Sequence, residues 1–156
     1  MMSYSSRRPS TPRRGAALVE FAFVATVTLL FFFVILEYAR FVFLLQVATN
    51  AAREGARMAS AHTGDGTTTQ NIIDEVAARM AGRDKELAGF SVQVLNVDPA
   101  TGNQIPSSSW DKAAFANGNA IMVRITGTYT PILPGLLLTQ SSIPVQVTAV
   151  MSSEGN

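Results

Sequence analysis

The chain has 156 residues, a formal charge of +1 and 47% apolar residues. Charged residues make up 15% of it, well below the roughly 25% usual in soluble domains. That length is one domain of ordinary size and excludes a large multidomain enzyme; the absence of Cys excludes disulfides, thiolate chemistry and Cys-based metal sites, and a single His, His62, leaves little imidazole chemistry.

The near-neutral charge hides a polarised chain. Residues 1–15 form a basic leader with Arg7, Arg8, Arg13 and Arg14 and no acid, whereas the remainder carries eight basic against eleven acidic residues. A basic arm of this kind points to nucleic acid or to a membrane, and the adjoining segment decides between them. Residues 16–36 read AALVEFAFVATVTLLFFFVIL, with Glu20 as the one charge and neither Gly nor Pro. As a helix this run covers about 31 Å, close to the hydrocarbon thickness of a bilayer. It is read as a membrane-spanning helix, with the arginines holding the N-terminus in the cytoplasm and the rest exported. No nucleic-acid partner is expected. A cleaved secretory signal has a shorter apolar region, and Ala59-Ser60-Ala61 lies far past this one. Neither Arg pair continues as a twin-arginine signal, since Pro-Ser-Thr comes after Arg8 and Gly-Ala-Ala after Arg14.

The helix is expected to continue through residue 60, because no Gly intervenes between Gly15 and Gly55 and no Pro between Pro12 and Pro99. From Tyr38 onward the pattern turns amphipathic. Phe41, Leu44, Leu45, Ala48, Ala52, Gly55 and Ala59 share one face, and Gln46, Asn50, Arg53 and Arg57 the opposite one. Ala48, Ala52 and Ala56, at i, i+4 spacing, let another backbone approach closely. They either seat the chain's own sheet or meet neighbouring subunits. Glu54 and Arg57 read as a solvated pair one turn apart. Seven of the nine Phe residues fall between Phe21 and Phe43, suited to lipid or to helix packing.

Residues 61–156 form the exported portion. A polar loop at 61–70 ends the long helix, and Ile72, Ile73, Val76, Ala77 and Met80 mark one face of a short helix closed by Gly82. Strands are expected at Phe90–Val97, Ala120–Thr130 and Ile143–Met151, with a turn at Asp98–Asn103 and irregular chain at 104–118. In the second strand Ile121, Val123, Ile125 and Tyr129 share a face, as do Val145, Val147 and Ala149 in the third. The fold class is therefore α+β: a long N-terminal helix whose distal half carries a short helix and a small antiparallel sheet. The connection Pro131-Ile132-Leu133-Pro134-Gly135-Leu136-Leu137-Leu138 is very apolar. It either tucks over the sheet edge or forms an exposed patch for a subunit or the membrane surface.

No enzyme chemistry emerges. Gly64-Asp65-Gly66 lacks the further carboxylates of a calcium loop, His62 sits in a polar loop, and no phosphate-binding glycine loop is present. Neither a cofactor, a metal nor a small-molecule substrate is expected.

The most specific pattern is Arg13-Arg14-Gly15-Ala16-Ala17-Leu18-Val19-Glu20-Phe21. It resembles the processing site of type IV-type prepilins. The resemblance implies that a prepilin peptidase cuts after Gly15, making Ala16 the new N-terminus and Glu20 the fifth mature residue, followed by an aromatic as in the Flp-pilin branch. Physical reasoning on the same residues agrees. Glycine lets an extended backbone fit a protease and breaks the helix just before it begins. Glu20 lies one turn inside the apolar run, where an unpaired carboxylate is costly and usually functional. A new amine on Ala16 would share its helix face. That amine, or a neighbouring subunit's, then neutralises Glu20; otherwise the carboxylate snorkels to the headgroups or protonates.

A second motif, Ala51-Ala52-Arg53-Glu54-Gly55-Ala56-Arg57, is similar to the A-A-R-E-x-A-R stretch of TadE-like proteins, the pseudopilins of the tight-adherence (Tad) pilus. The apolar run ending in Glu37-Tyr38 and Arg40 fits the same family. The likeness is strong over residues 13–60 and loose beyond. It implies a bacterial inner-membrane protein with its C-terminus in the periplasm, or outside the cell once assembled. As a minor pilin its partners would be the membrane, the prepilin peptidase, other pilin subunits and the pilus assembly platform. The alternative is an uncleaved single-pass protein holding a periplasmic binding or assembly-factor domain.

Overall fold

The computed structural model describes residues 14–106, 109–112, 120–132 and 141–152. Among these residues two helices and three strands succeed one another: α1 (Arg14–Ala61), α2 (Thr69–Met80), β1 (Leu87–Val97), β2 (Ala120–Tyr129) and β3 (Ile143–Ser152), with short 3₁₀ turns at Arg83–Glu86 and Trp110–Lys112. This is the expected α+β class. Residues through Leu36 form one compact unit and residues from Glu37 another.

In the first unit α1 leaves its side chains exposed almost without exception. It is long and apolar enough to cross a membrane, and none of its apolar stretch is buried within the chain. Its hydroxyls are satisfied internally: Thr26 Oγ1 donates to the Ala22 carbonyl and Thr28 Oγ1 to that of Val24, both at 2.8 Å. Such back-bonding keeps a polar side chain tolerable in hydrocarbon, where no water can serve it. One expectation is corrected. Gly15 does not break the helix before it begins, because α1 already starts at Arg14. One glycine costs a helix only about 1 kcal/mol, which the long run behind it offsets.

In the second unit the core lies between the inner face of α1, α2 and the sheet. Leu44, Ala48, Ala51, Ala52, Ala56 and Ala59 meet Ile72, Val76 and Met80 of α2 and Ile121, Val123, Ile125 and Tyr129 of β2. The sheet is antiparallel in the order β1-β2-β3. β2 pairs throughout with β3, from Ala120↔Ser152 to Tyr129↔Ile143, and its pairing with β1 is interrupted by a bulge between Ala88 and Ser91. Central placement explains why β2 supplies the most buried strand residues. Gly55 is required by close approach: a Cβ there would overlap Val76 Cγ2 of α2.

Local chemistry sets the element ends. Thr68 caps α2 in a reciprocal box, its Oγ1 accepting from Asn71 N at 3.3 Å while Asn71 Oδ1 accepts from Thr68 N at 2.9 Å. The helix therefore begins at Thr69, ahead of the apolar stripe that starts at Ile72. At the other end the left-handed cap is Ala81 (φ 51°), one residue before the expected Gly82, which has φ 82°. The stretch expected to be irregular holds a core residue. Trp110 is buried, and its indole Nε1 donates to Thr69 Oγ1 at 2.8 Å. The turn at 98–103 is organised by Asp98, whose Oδ1 accepts from Ala100 N at 2.9 Å. Of the apolar connection after β2, only Pro131 and Ile132 are described; 133–138 lie outside the described residues.

Candidate functional site

Two groups of residues stand out, one in each unit. The first is the start of α1. Gly15 and Ala16 occupy its first turn, and apart from its chain neighbours and the helix's own backbone no atom of the described residues lies within 4 Å of the position of a Cβ on Gly15. Glu20 and Phe21 are both exposed, Phe21 at 72%. Glu20 makes no ion pair among the described residues, so a carboxylate stands unpaired in an apolar helix surface. Arg14 is the first residue of α1, and Arg7, Arg8 and Arg13 lie outside the described residues.

The second group sits where the apolar run ends, and it is built around Glu37. Here the helix surface changes abruptly, from exposed side chains to a carboxylate that is only 6% exposed. Tyr129, at the end of β2, donates its phenolic hydrogen to Glu37 Oε1 at 2.5 Å, and Ile132 N donates to the same oxygen at 3.3 Å. Arg40, one turn along α1, approaches that oxygen at 3.7 Å and bonds Glu86 through Nη2 at 3.0 Å and Nε at 3.1 Å. Arg83 closes the chain of charges on the other oxygen of Glu86. Rings reinforce it. The Arg40 guanidinium lies 5.4 Å from the Tyr129 ring centre, Phe41 meets the same ring at 5.1 Å, and Arg83 lies 5.2 Å from the centre of Phe43.

The electrostatics derive from burial and pairing. Burial, with the hydrogen bond to Glu37, pushes the Tyr129 hydroxyl up to about 12. It therefore remains a donor at any physiological pH. Burial pushes the Glu86 carboxyl up, but the hydrogen bonds from Arg83 and Arg40 outweigh it and hold the group below its ordinary value. One α1 segment is thus tied to three places distant in sequence: the end of β2, the start of the β2–β3 connection, and the 3₁₀ turn at Arg83–Glu86. The arrangement fixes geometry and offers no nucleophile or open acid–base pair. Sequence reasoning placed Glu37, Tyr38 and Arg40 in a family pattern but assigned them no role. Their partners stand 92 and 46 residues away, beyond reach of any local spacing rule.

The small-residue stripe has a plain location. Ala48, Ala52 and Ala56 are fully buried in the unit's own core. In the A-A-R-E-G-A-R stretch Ala51, Ala52, Gly55 and Ala56 face inward, while Arg53 and Arg57 face water. Glu54 pairs with Arg57 and also lies 3.6 Å from Arg79 of α2. The stretch seats α2 and β2 on α1, with small residues setting the distance and charges closing the rim. His62 serves the end of α1, its Nδ1 3.0 Å from the Met58 carbonyl. Such a contact satisfies one of the carbonyls a helix end leaves open. Among the described residues no cluster of three or more His, Asp or Glu could hold a metal ion.

Residues 15–57 match the family model described as TadE-like protein. The match takes in Gly15, Glu20, the apolar run, Glu37, Arg40 and the small-residue stretch. No curated protein and no solved structure matches the chain.

Proposed function

We propose that this TadE-like chain is a minor pilin, or pseudopilin, of a Tad pilus: a structural subunit and peptidase substrate, not a catalyst. The observation that carries the reading is Glu20, an exposed, unpaired carboxylate in an otherwise apolar helix, five residues beyond a glycine that ends a basic leader. A carboxylate in hydrocarbon is costly enough to be retained only for use. In this reading the four leader arginines keep the N-terminus in the cytoplasm, and the peptidase cuts between Gly15 and Ala16. The first turn of α1 must open for that cut, and Gly15 makes this turn the least costly to unwind. Release of the leader gives Ala16 a positive amine. In an assembled filament the Glu20 of one subunit accepts the amine of its neighbour, which rewards one axial register and penalises slips.

Extraction from lipid then costs little, because the exposed Phe and Leu residues exchange lipid tails for equally apolar helices. The second unit, its core closed by the short helix and sheet, travels as a folded load on α1. Its partners are other pilin subunits and the assembly platform, and the pilus serves adhesion.

The test is Glu20→Ala in the cells that make the protein. Trimming and membrane insertion are expected to persist while the subunit disappears from sheared pili. Normal incorporation of the variant would refute the pairing role.

A further inference from the structure

The sheet has two edges, and they are not alike. β3 runs ten residues from Ile143 to Ser152 without a charge or a bulge, and among the described residues nothing pairs with its far side. β1 is equally uncharged, but its edge is partly closed. A bulge interrupts it between Ala88 and Ser91. At its end Val97 bridges to Gln104, and the Ile105 N–H donates to the Asn96 carbonyl at 2.9 Å. Residues 91–95 keep a regular, open edge. Among the three strands the one charge is Arg124, on the central strand. That reverses the usual device, in which charges sit on edge strands and stop them from pairing.

The open N–H and C=O groups of an edge are met in kind by another extended strand. The chain's own layout says which one. Pairing β3 with the β3 of a second copy about a twofold axis is antiparallel. Within the unit from Glu37, however, β2 runs back along α1: Tyr129 bonds Glu37, and Val123 faces Gly55 further along the helix. β3 therefore runs in the direction of α1, and two self-paired chains would enter the pair from opposite ends. Chains anchored in one membrane enter from the same side. β1 and β3 are both antiparallel to β2, hence parallel to each other, so an equally oriented copy offers its β1 to β3 directly.

The levels agree as well. Ser91 shares a row across the sheet with Gln146, Gln93 with Thr148, and Leu95 with Val150. A copy displaced sideways without axial slip brings the same residues together between chains, amide beside hydroxyl and Leu95 beside Val150, which is 47% exposed. A slip of one residue would turn the apolar set to the wrong face.

We propose that β3 is a docking edge for residues 91–95 of a second copy of this chain, so that equally oriented subunits share one sheet. This rests on reading the chain as a membrane-anchored pilus subunit whose copies share one orientation. Such a contact is heterologous: each copy uses one edge and leaves the other open, and the series extends as a filament does.

The chain has no Cys, so cross-links can be read from single cysteines. Full-length Gln93→Cys and Thr148→Cys chains, both altered at exposed positions, would carry different epitope tags and be produced together. A short bismaleimide is then added to carbonate-washed membranes, with Trp110 emission verifying the fold of each variant. In the proposed pair residues 93 and 148 of two chains lie about 5 Å apart, whereas a Ser152→Cys thiol would stand about 13 Å further along the strand. The mixed 93–148 product is expected to exceed 93–93, 148–148 and 93–152 several-fold. A dominant 148–148 product would mean that β3 pairs with itself and would overturn the proposal. Equal yields, or none, would overturn it too, as chance encounter or no contact. Chains lost to the carbonate wash would overturn the anchored reading and the inference with it; chains retained without the 93–148 product overturn the inference alone.

Discussion

The contact between α1 and α2 allows a prediction in which the sign of an effect reverses. A methyl group added at Gly55 would overlap Val76 Cγ2 and stand 3.5 Å from Val123 Cγ1 and 3.7 Å from Ile72 Cγ2. Val76 is fully buried and β-branched, so it has no free rotamer to retreat into, and α2 must move instead. Overpacking of this kind costs about 1–3 kcal/mol. The better helix propensity of Ala returns about 1 kcal/mol, leaving Gly55→Ala destabilised by up to about 2 kcal/mol. In the native background Val76→Ala removes buried methyls and opens a cavity, at about 1–3 kcal/mol. In the Gly55→Ala background it instead makes room, so the pair should couple favourably by about 1 kcal/mol or more. Trp110 reports on the transition directly, because it is the sole Trp, is buried, and bonds the first residue of α2. Urea unfolding of the four proteins in detergent, followed by Trp emission, gives the cycle. Strictly additive effects, or a Gly55→Ala variant more stable than the parent, would refute the close approach.

The ionic group around Glu37 yields further expectations. Tyr129→Phe keeps the ring contacts with Phe41 and Arg40 but removes a hydrogen bond to a buried carboxylate. It should cost about 1.5–3 kcal/mol in the same unfolding assay, and a loss near zero would mean the bond is immaterial. Acid should weaken the domain through Glu86. Its carboxyl is held below the ordinary 4.5, so the native state binds fewer protons than the unfolded chain; that stability is present above 4.5 and is lost as pH falls through the native value. Alkali acts through Tyr129 in the opposite sense. Its hydroxyl titrates at about 12 in place of 10.0, so stability present below pH 10 declines by about 3 kcal/mol as pH rises toward 12. A urea midpoint that stays level between pH 10 and 12 would contradict this, as would an alkaline slope that survives in Tyr129→Phe.

How much of this was legible in the sequence depends on the range of the forces involved. The long helix is implied by an uninterrupted stretch without Pro or Gly, and the three strands by alternation, since Ile121, Val123, Ile125 and Tyr129 repeat with the period of a half-buried strand. The inward face of α1 was readable for the same reason. The polar loop was expected to run through residue 70, yet α2 begins at Thr69, because its cap is polar and an apolar stripe does not mark it. Trp110 was missed because a three-residue turn has no period to detect. The Glu37 cluster was half seen: its α1 members were visible as a pattern, but Tyr129, Ile132 and Glu86 reach it only through the tertiary fold. Nothing in the spacing of Ala48, Ala52 and Ala56 distinguishes an intramolecular partner from a neighbouring subunit. The structure places all three against the chain's own α2 and sheet.

The central claim is that a leader is removed after Gly15 so that α1 can enter a filament. The measurement that bears on it most directly is the intact mass and first residue of the protein isolated from its own cells. A chain that begins at Ala16 is the predicted result. A chain that retains Arg13 and Arg14 would contradict it, and would leave an uncleaved single-pass protein displaying a folded domain beyond the membrane.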